Sequence, residues 1–212
     1  YLVGRAAHTL ILEGRQRYEE EFAVGGPVNP KTGEVYGSRT KAFAEWAALQ
    51  SKPVLTDEQA ALVEQMHAGV AAHELATQLL SAGQAEGVVR AEYCGIPCQI
   101  RLDWFHPDLG IVDLKTCDDL EWFESDARRY GYAYQLAFYR SVLRQGTPLF
   151  VSVYLIAIEK KEPFRCGVWR VGDDVLGIAK QENEQAMERL KQCRQRDQWP
   201  TGYEEMRSFD YL

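Results

Sequence analysis

Hydrophobic and polar residues alternate along residues 86–92, 96–104 and 110–116, three short runs rich in β-branched and apolar side chains. Such alternation reads as half-buried strands, because successive strand side chains point to opposite faces. The segments between them, Tyr93-Cys94-Gly95 and Phe105-His106-Pro107-Asp108-Leu109, carry Gly, Pro and Asp where turns need them. A three-stranded meander follows. Residues 149–159 are nearly all apolar, as expected of a strand buried on both faces, and residues 165–171 read as its partner across a turn at 160–163.

Helical spacing of apolar residues marks the remainder. Residues 3–14, with Gly at both ends, predict a short buried helix, and 38–50 an amphipathic one with Phe43, Trp46, Ala47 and Leu49 on one flank. Thr56 reads as the N-cap of a helix that Asp57 and Glu58 open and that runs to Met66 or beyond. An alanine-rich helix over 67–80, a long helix over 118–144 that Gly131 could break, and a final amphipathic helix over 173–196 complete the set. The glycines and prolines of 19–37 predict a loop, and an irregular tail starts at Trp199.

The meander concentrates polar groups. Gln99, Arg101 and Asp103 share one face against Ile100 and Leu102, while Ile111, Asp113 and Lys115 oppose Val112 and Leu114. A turn centred near Pro107 would put Asp103 across from Ile111 and diagonal to Asp113, roughly 7 to 8 Å away, within reach of a shared cation. Two carboxylates and a lysine suit metal-assisted phosphodiester hydrolysis: hard oxygens hold Mg²⁺ or Mn²⁺, and an ammonium orients water or offsets developing charge. An isolated Asp-x-Lys is as readily a solvated ion pair on an exposed sheet face.

Glu86 or Glu92 can join this face from the first strand, or pair instead with Arg90 or Arg101. In the long helix, Gln135 sits among Tyr130, Tyr134, Leu136, Phe138 and Tyr139, and Arg128, Arg129, Arg140 and Arg144 form the densest basic cluster. That edge reads either as solvated surface or as a source of DNA contacts. His8, inside an apolar helix, reads in isolation as a hydrogen-bonded core residue; His67 and His73 lack a same-face ligand spacing.

Composition narrows the classes. At 212 residues the chain fits one domain spanning 1–212, able to bury roughly 70% of its unfolded surface. It begins with Tyr1, so upstream sequence is expected to be missing. No apolar run approaches the roughly 20 residues that cross a bilayer, which makes a cytoplasmic, membrane-free protein the expectation. Five cysteines without a C-x-x-C indicate neither a disulfide framework nor a zinc site. The net charge of −7 argues against non-specific coating of nucleic acid, but an acidic metal site raises the negative count, so a nuclease stays open.

An acidic residue ten positions before Asp113-Leu114-Lys115-Thr116, in the order helix, three-stranded meander, helix, strand, resembles the PD-(D/E)XK nuclease superfamily. More narrowly, the chain is similar to the RecE-type branch, the nuclease domain of exodeoxyribonuclease VIII and phage relatives. Gly4-Arg5-Ala6-Ala7-His8, followed by Leu10, Ile11, Leu12 and Glu13, matches the branch's G-x-x-x-H helix, which turns His8 from core residue into site residue. Leu102 stands where the superfamily name has Pro, and Asp113 is the acid of the third strand.

The resemblance implies an α/β (α+β) restriction-endonuclease-like core, a central mixed sheet flanked by helices. It implies Mg²⁺-dependent DNA hydrolysis, with Asp103, Asp113, the Leu114 backbone carbonyl and His8 as ligands, Glu86 as a further acid, and Lys115 positioning the water. Gln135, with Tyr130 or Tyr132, would orient Lys115 or a phosphate, and Arg128 and Arg129 would contact DNA beside those tyrosines. The branch further implies a 5′ to 3′ exonuclease on linear double-stranded DNA ends, a homo-oligomeric ring and a single-strand annealing partner in phage-type recombination. Rival readings are a RecB-like nuclease, whose iron–sulfur cluster the scattered cysteines speak against, and a non-catalytic DNA-binding or assembly module, which the intact Asp103, Asp113 and Lys115 set speaks against.

Overall fold

A computed structural model describes residues 2–146, 151–208 and 210. The chain opens on α1 (Leu2–His8), widens into a π-helical turn (Thr9–Glu13) and continues as α2 (Gly14–Glu21). The expected helix end at Gly14 is thus corrected: Gly14, at φ 85°, closes the π turn and the helix resumes. Within the expected 19–37 loop, β1 (Ala23–Val24) pairs in parallel with β2 (Val54–Leu55), which follows α3 (Lys41–Ala48).

Thr56 caps the next helix as expected. Its hydroxyl accepts from Gln59 N at 3.2 Å while Gln59 Oε1 accepts from Thr56 N at 3.0 Å, a reciprocal capping box. With nothing to break it at Met66, α4 runs over Asp57–Ala71. The chain breaks at His73, whose Nδ1 accepts from Ala76 N and starts α5 (Glu74–Leu79). Gly69 lets α4 press on the sheet: a Cβ there would lie 2.5 Å from the Phe164 carbonyl oxygen.

The meander is β3 (Gln84–Tyr93), β4 (Ile96–His106) and β5 (Gly110–Cys117). Cys94 and Gly95, with φ of 53° and 74°, form the two-residue turn that matches strand twist between the first two. The second turn differs from expectation. Its centre is Asp108, since His106 pairs with Gly110 and the His106 ring accepts from both Asp108 N and Leu109 N at 3.1 Å. The pairs Trp104↔Val112 and Phe105↔Ile111 put Asp103 in register with Asp113, not Ile111.

After β5, α6 (Phe123–Arg129) and α7 (Tyr132–Gly146) cross over to β6 (Ser152–Glu159), which runs parallel to β5 along its whole length. Such a connection has room for helices that cover a sheet face. Leu149 and Phe150, the expected start of this strand, lie outside the described residues. β7 (Cys166–Arg170) pairs antiparallel with β6, and α8 (Asp173–Arg196) ends the fold.

The five-stranded mixed sheet has the order β3-β4-β5-β6-β7. Its faces feed two apolar clusters. Val112, Leu114, Ile156 and Ile158 pack with Ala6, Leu10, Val63 and Met66 of the N-terminal helices. Ile111, Val153, Leu155 and Ala157 pack with Leu136, Val142 and Leu176 from α7 and α8. Among the described residues, no helix is long and apolar enough to cross a membrane.

Candidate active site

Strand alternation fails at Asp103. Leu102 packs in the α7–α8 cluster and Trp104, two residues on, in the N-terminal cluster, although residues two apart on a strand share a face. The neighbouring strand does the same, with Ala85 in one cluster and Val89 in the other. The cause lies at Glu86, whose φ of 55° reverses the strand between the pairs Ala85↔Trp104 and Gly87↔Leu102. A non-glycine residue in this conformation costs about 1–2 kcal/mol. The expectation that Gln99, Arg101, Asp103, Asp113 and Lys115 share one plain face is therefore corrected: Leu102 lies on the Ile111 side, and the acids meet where the strands part.

The part is filled by a side chain. The paired residues of the β4–β5 ladder end at Trp104↔Val112, and beyond them Asp103 Oδ2 accepts from Leu114 N at 2.9 Å. Asp103 thereby replaces a backbone partner and is anchored beside Asp113. Burial pushes the Asp103 carboxyl above its ordinary value, with Lys115 acting the other way.

Asp113 is 1% exposed. Its Oδ2 lies 2.5 Å from Lys115 Nζ, and its Oδ1 accepts from Gln135 Nε2 at 3.4 Å. Burial, with Asp103 second, nonetheless raises its pKa to about 6 against the pull of Lys115. Gln135, from α7, also accepts from Lys115 Nζ at 3.3 Å and donates to Tyr139 Oη at 2.9 Å. Burial opposes the charge of Lys115, but Asp113 beside it outweighs this and its pKa is raised.

His8 enters from the other side of the sheet. It ends α1 next to the π turn, where fully buried Ala6 and Ala7, and Gly4 with its Cβ position 3.6 Å from Thr116 Oγ1, let the helix approach β5. His8 Nδ1 lies 3.7 Å from Asp103 Oδ2. Burial lowers the imidazole pKa to about 4, so the ring is neutral at neutral pH and keeps a lone pair. The Leu114 backbone also acts on it, which puts His8, Asp103, Asp113 and Leu114 in one neighbourhood.

These groups fit a hard divalent cation. The buried Asp113 carboxylate and the half-buried Asp103 carboxylate face a single ammonium, and both have raised pKa values. Among the described residues, no three His, Cys, Asp or Glu side chains form a ready-made metal cage. Mg²⁺ does not require one, since it is held through one or two carboxylates and keeps several waters. Asp103, Asp113, the Leu114 carbonyl and His8 are the groups that would hold it.

Glu86 stands apart from that set. Its carboxylate pairs with Arg101 Nε at 2.7 Å, the alternative open from the sequence, and burial raises its pKa with Asp103 contributing. Both residues line a cleft of ≈ 640 Å³ with Arg5, His8, Asp103 and Lys160. Arg5 and Arg101 were not singled out as site residues by the sequence pattern. Neither was Tyr139, although its i, i+4 spacing from Gln135 is the signal that could have found it. Tyr132 lies under Lys115, Nζ to centroid 4.7 Å, and Tyr130 stacks on Tyr132. Arg128 is exposed near Glu124, and Arg129 lies over Tyr130.

A family model described as a PDDEXK-like domain of unknown function (DUF3799) matches residues 1–210. The chain belongs to this PDDEXK-like family. A crystal structure from Eubacterium rectale, described as a "Putative exonuclease", matches with a TM-score of 0.66 at 19% identity, covering 100% of this chain and 76% of that one. At this identity the likeness shows the fold. No curated protein matches the sequence. In this PDDEXK-like domain, the parting of β4 and β5 brings Asp103 to Asp113 and Lys115. Nucleases of the PDDEXK type generally use divalent metal ions, and the fold supports a nuclease.

Proposed function

We propose that this PDDEXK-like domain is an Mg²⁺-dependent deoxyribonuclease that hydrolyses linear double-stranded DNA from its ends. The observation that carries the reading is the convergence of Asp103, Asp113, Lys115 and Gln135, from two strands and a helix, beside a cleft lined by both basic and acidic side chains. A divalent metal held by Asp103, Asp113, the Leu114 carbonyl and His8 would polarise a phosphoryl oxygen and acidify a water. The chain's own residues do the positioning.

Lys115, held between Asp113 and Gln135, is placed to donate to the attacking water or the developing phosphorane oxygen. Gln135 fixes the Lys115 ammonium through Oε1 while its amide holds Asp113, and Tyr139 fixes Gln135. Arg5 offers charge to phosphates in the cleft, where Arg101 and Lys160 are paired with Glu86 and Asp118. Attack of water on phosphorus breaks one P–O ester bond and leaves a phosphate monoester and a hydroxyl.

The RecE-type resemblance adds 5′ to 3′ polarity, a ring of identical subunits and a single-strand annealing partner in recombination. These belong to the proposal. The test uses linear duplex labelled at 5′ or 3′ ends and a closed circle, each with Mg²⁺, Mn²⁺ or EDTA. Release of label from linear DNA alone, only with metal, supports the reading; cutting of the closed circle removes the exonuclease assignment, and no cleavage by folded protein removes the nuclease.

A further inference from the structure

Lys115 is the inner end of a stack of cations and rings that runs out to solvent. Its Nζ lies 4.7 Å from the Tyr132 centroid, Tyr132 stacks on Tyr130 at 6.0 Å and 29°, and the Arg129 guanidinium carbon lies 5.7 Å from the Tyr130 centroid. Exposure rises outward. The Lys115 side chain is 17% exposed, whereas Tyr130 is 61% exposed.

The chain makes this stack by interrupting a helix. Residues two apart on a continuous α-helix point about 200° apart and cannot stack. Gly131, at φ 71°, ends α6 after Tyr130 and lets Tyr132 begin α7, which turns the two rings onto one axis. Tyr132 also packs against the apolar cluster of α7 and α8, but Tyr130 does not. At its exposure Tyr130 contributes little through burial, so its position is not explained by the core.

We propose that Tyr130 and Arg129 form a base-stacking platform for an unpaired nucleotide next to the phosphate cleaved beside Lys115. This rests on the nuclease reading above and names its substrate class, a DNA end with unpaired nucleotides. One ring separates Lys115 from Tyr130, so a nucleotide with its phosphate at Lys115 has a neighbouring base within reach of Tyr130. Every base has a π face, so the platform tolerates any sequence. Arg129 can lie flat on the same base or turn to the adjoining phosphate. A base inside a duplex already has both faces covered, and only an unpaired or unstacked one can occupy Tyr130.

The test is binding, kept apart from cleavage by EDTA. Duplexes with a short 5′ or 3′ overhang carry 2-aminopurine in the overhang, and a blunt duplex of the same length is the reference. The full chain and its Tyr130→Phe variant should quench the fluorescence of at least one overhang. Tyr130→Ala should abolish that quenching and weaken overhang binding about tenfold, the loss of one stacked base, while blunt-duplex binding changes less than about twofold. Thermal melts identify any variant that fails to fold, and Tyr130→Trp, which keeps a ring, should rescue quenching. Undiminished quenching by folded Tyr130→Ala, or equal loss of overhang and blunt binding, overturns the platform and leaves the nuclease reading standing. If the unaltered chain neither binds nor cleaves any DNA, both fall together.

Discussion

Asp103 and Leu114 are joined by a hydrogen bond that belongs, in an unbroken sheet, to two backbones: Leu114 N donates to Asp103 Oδ2 at 2.9 Å. The acid thus has a structural role beside the one proposed for it in hydrolysis. Asp103→Ala leaves a buried N–H without a partner and should cost about 1–3 kcal/mol in denaturant unfolding. Asp103→Asn keeps an acceptor and should stay near the original stability while losing at least about a hundredfold in cleavage. Equal destabilisation by both would remove the structural role of the Asp103 acceptor, and undiminished cleavage by Asp103→Asn would remove the role of its charge.

Asp113 makes the pH dependence of the metal-free protein testable. Its folded pKa of about 6 is raised above that of an unfolded aspartate, so its contribution to stability is complete below the unfolded pKa and is lost as pH rises through about 6. Thermal unfolding in EDTA should show this decline between about pH 4 and 7. Asp113→Asn should flatten it, melt higher at neutral pH and be inactive. A divalent metal should restore stability to the unaltered chain alone.

Glu159 predicts the opposite slope. Fully buried at the end of β6, it accepts from Arg165 and from Leu120 N, and Arg165 holds its pKa down at about 2. Its contribution is present above the unfolded value and lost as pH falls through about 2. Arg165→Met should leave a buried, under-paired carboxylate and lower the melting temperature at neutral pH, with metal binding measured by calorimetry unchanged.

In the proposed mechanism Gln135 positions Lys115, and its variants should separate rate from binding. Gln135→Ala frees both Lys115 and Asp113, and should lower kcat about a hundredfold with little change in KM. Tyr139→Phe removes only the outer hydrogen bond and should cost about tenfold. A larger effect from Tyr139→Phe than from Gln135→Ala would reverse that order of action.

Most elements were legible from the sequence because their signals are local. The Thr56 cap needs only Gln59 three residues on, the Cys94-Gly95 turn needs only two left-handed residues, and β6 announces itself by an unbroken apolar run. Asp103, Asp113 and Lys115 were legible as chemistry for the same reason, and the resemblance added His8 and Gln135. Their meeting was not legible. The Glu86 reversal, the shift of the turn to Asp108 and the parting of β4 from β5 depend on both sheet faces being packed at once, which no window of sequence contains. Residue types and spacing determined which groups could hold a cation and cut a phosphodiester. Tertiary packing decided that Asp103 would close on Leu114, that Glu86 would go to Arg101, and that Tyr139 would hold Gln135. Side-chain distances across strands and helices are set by register and by crossing helices, and a linear pattern carries neither.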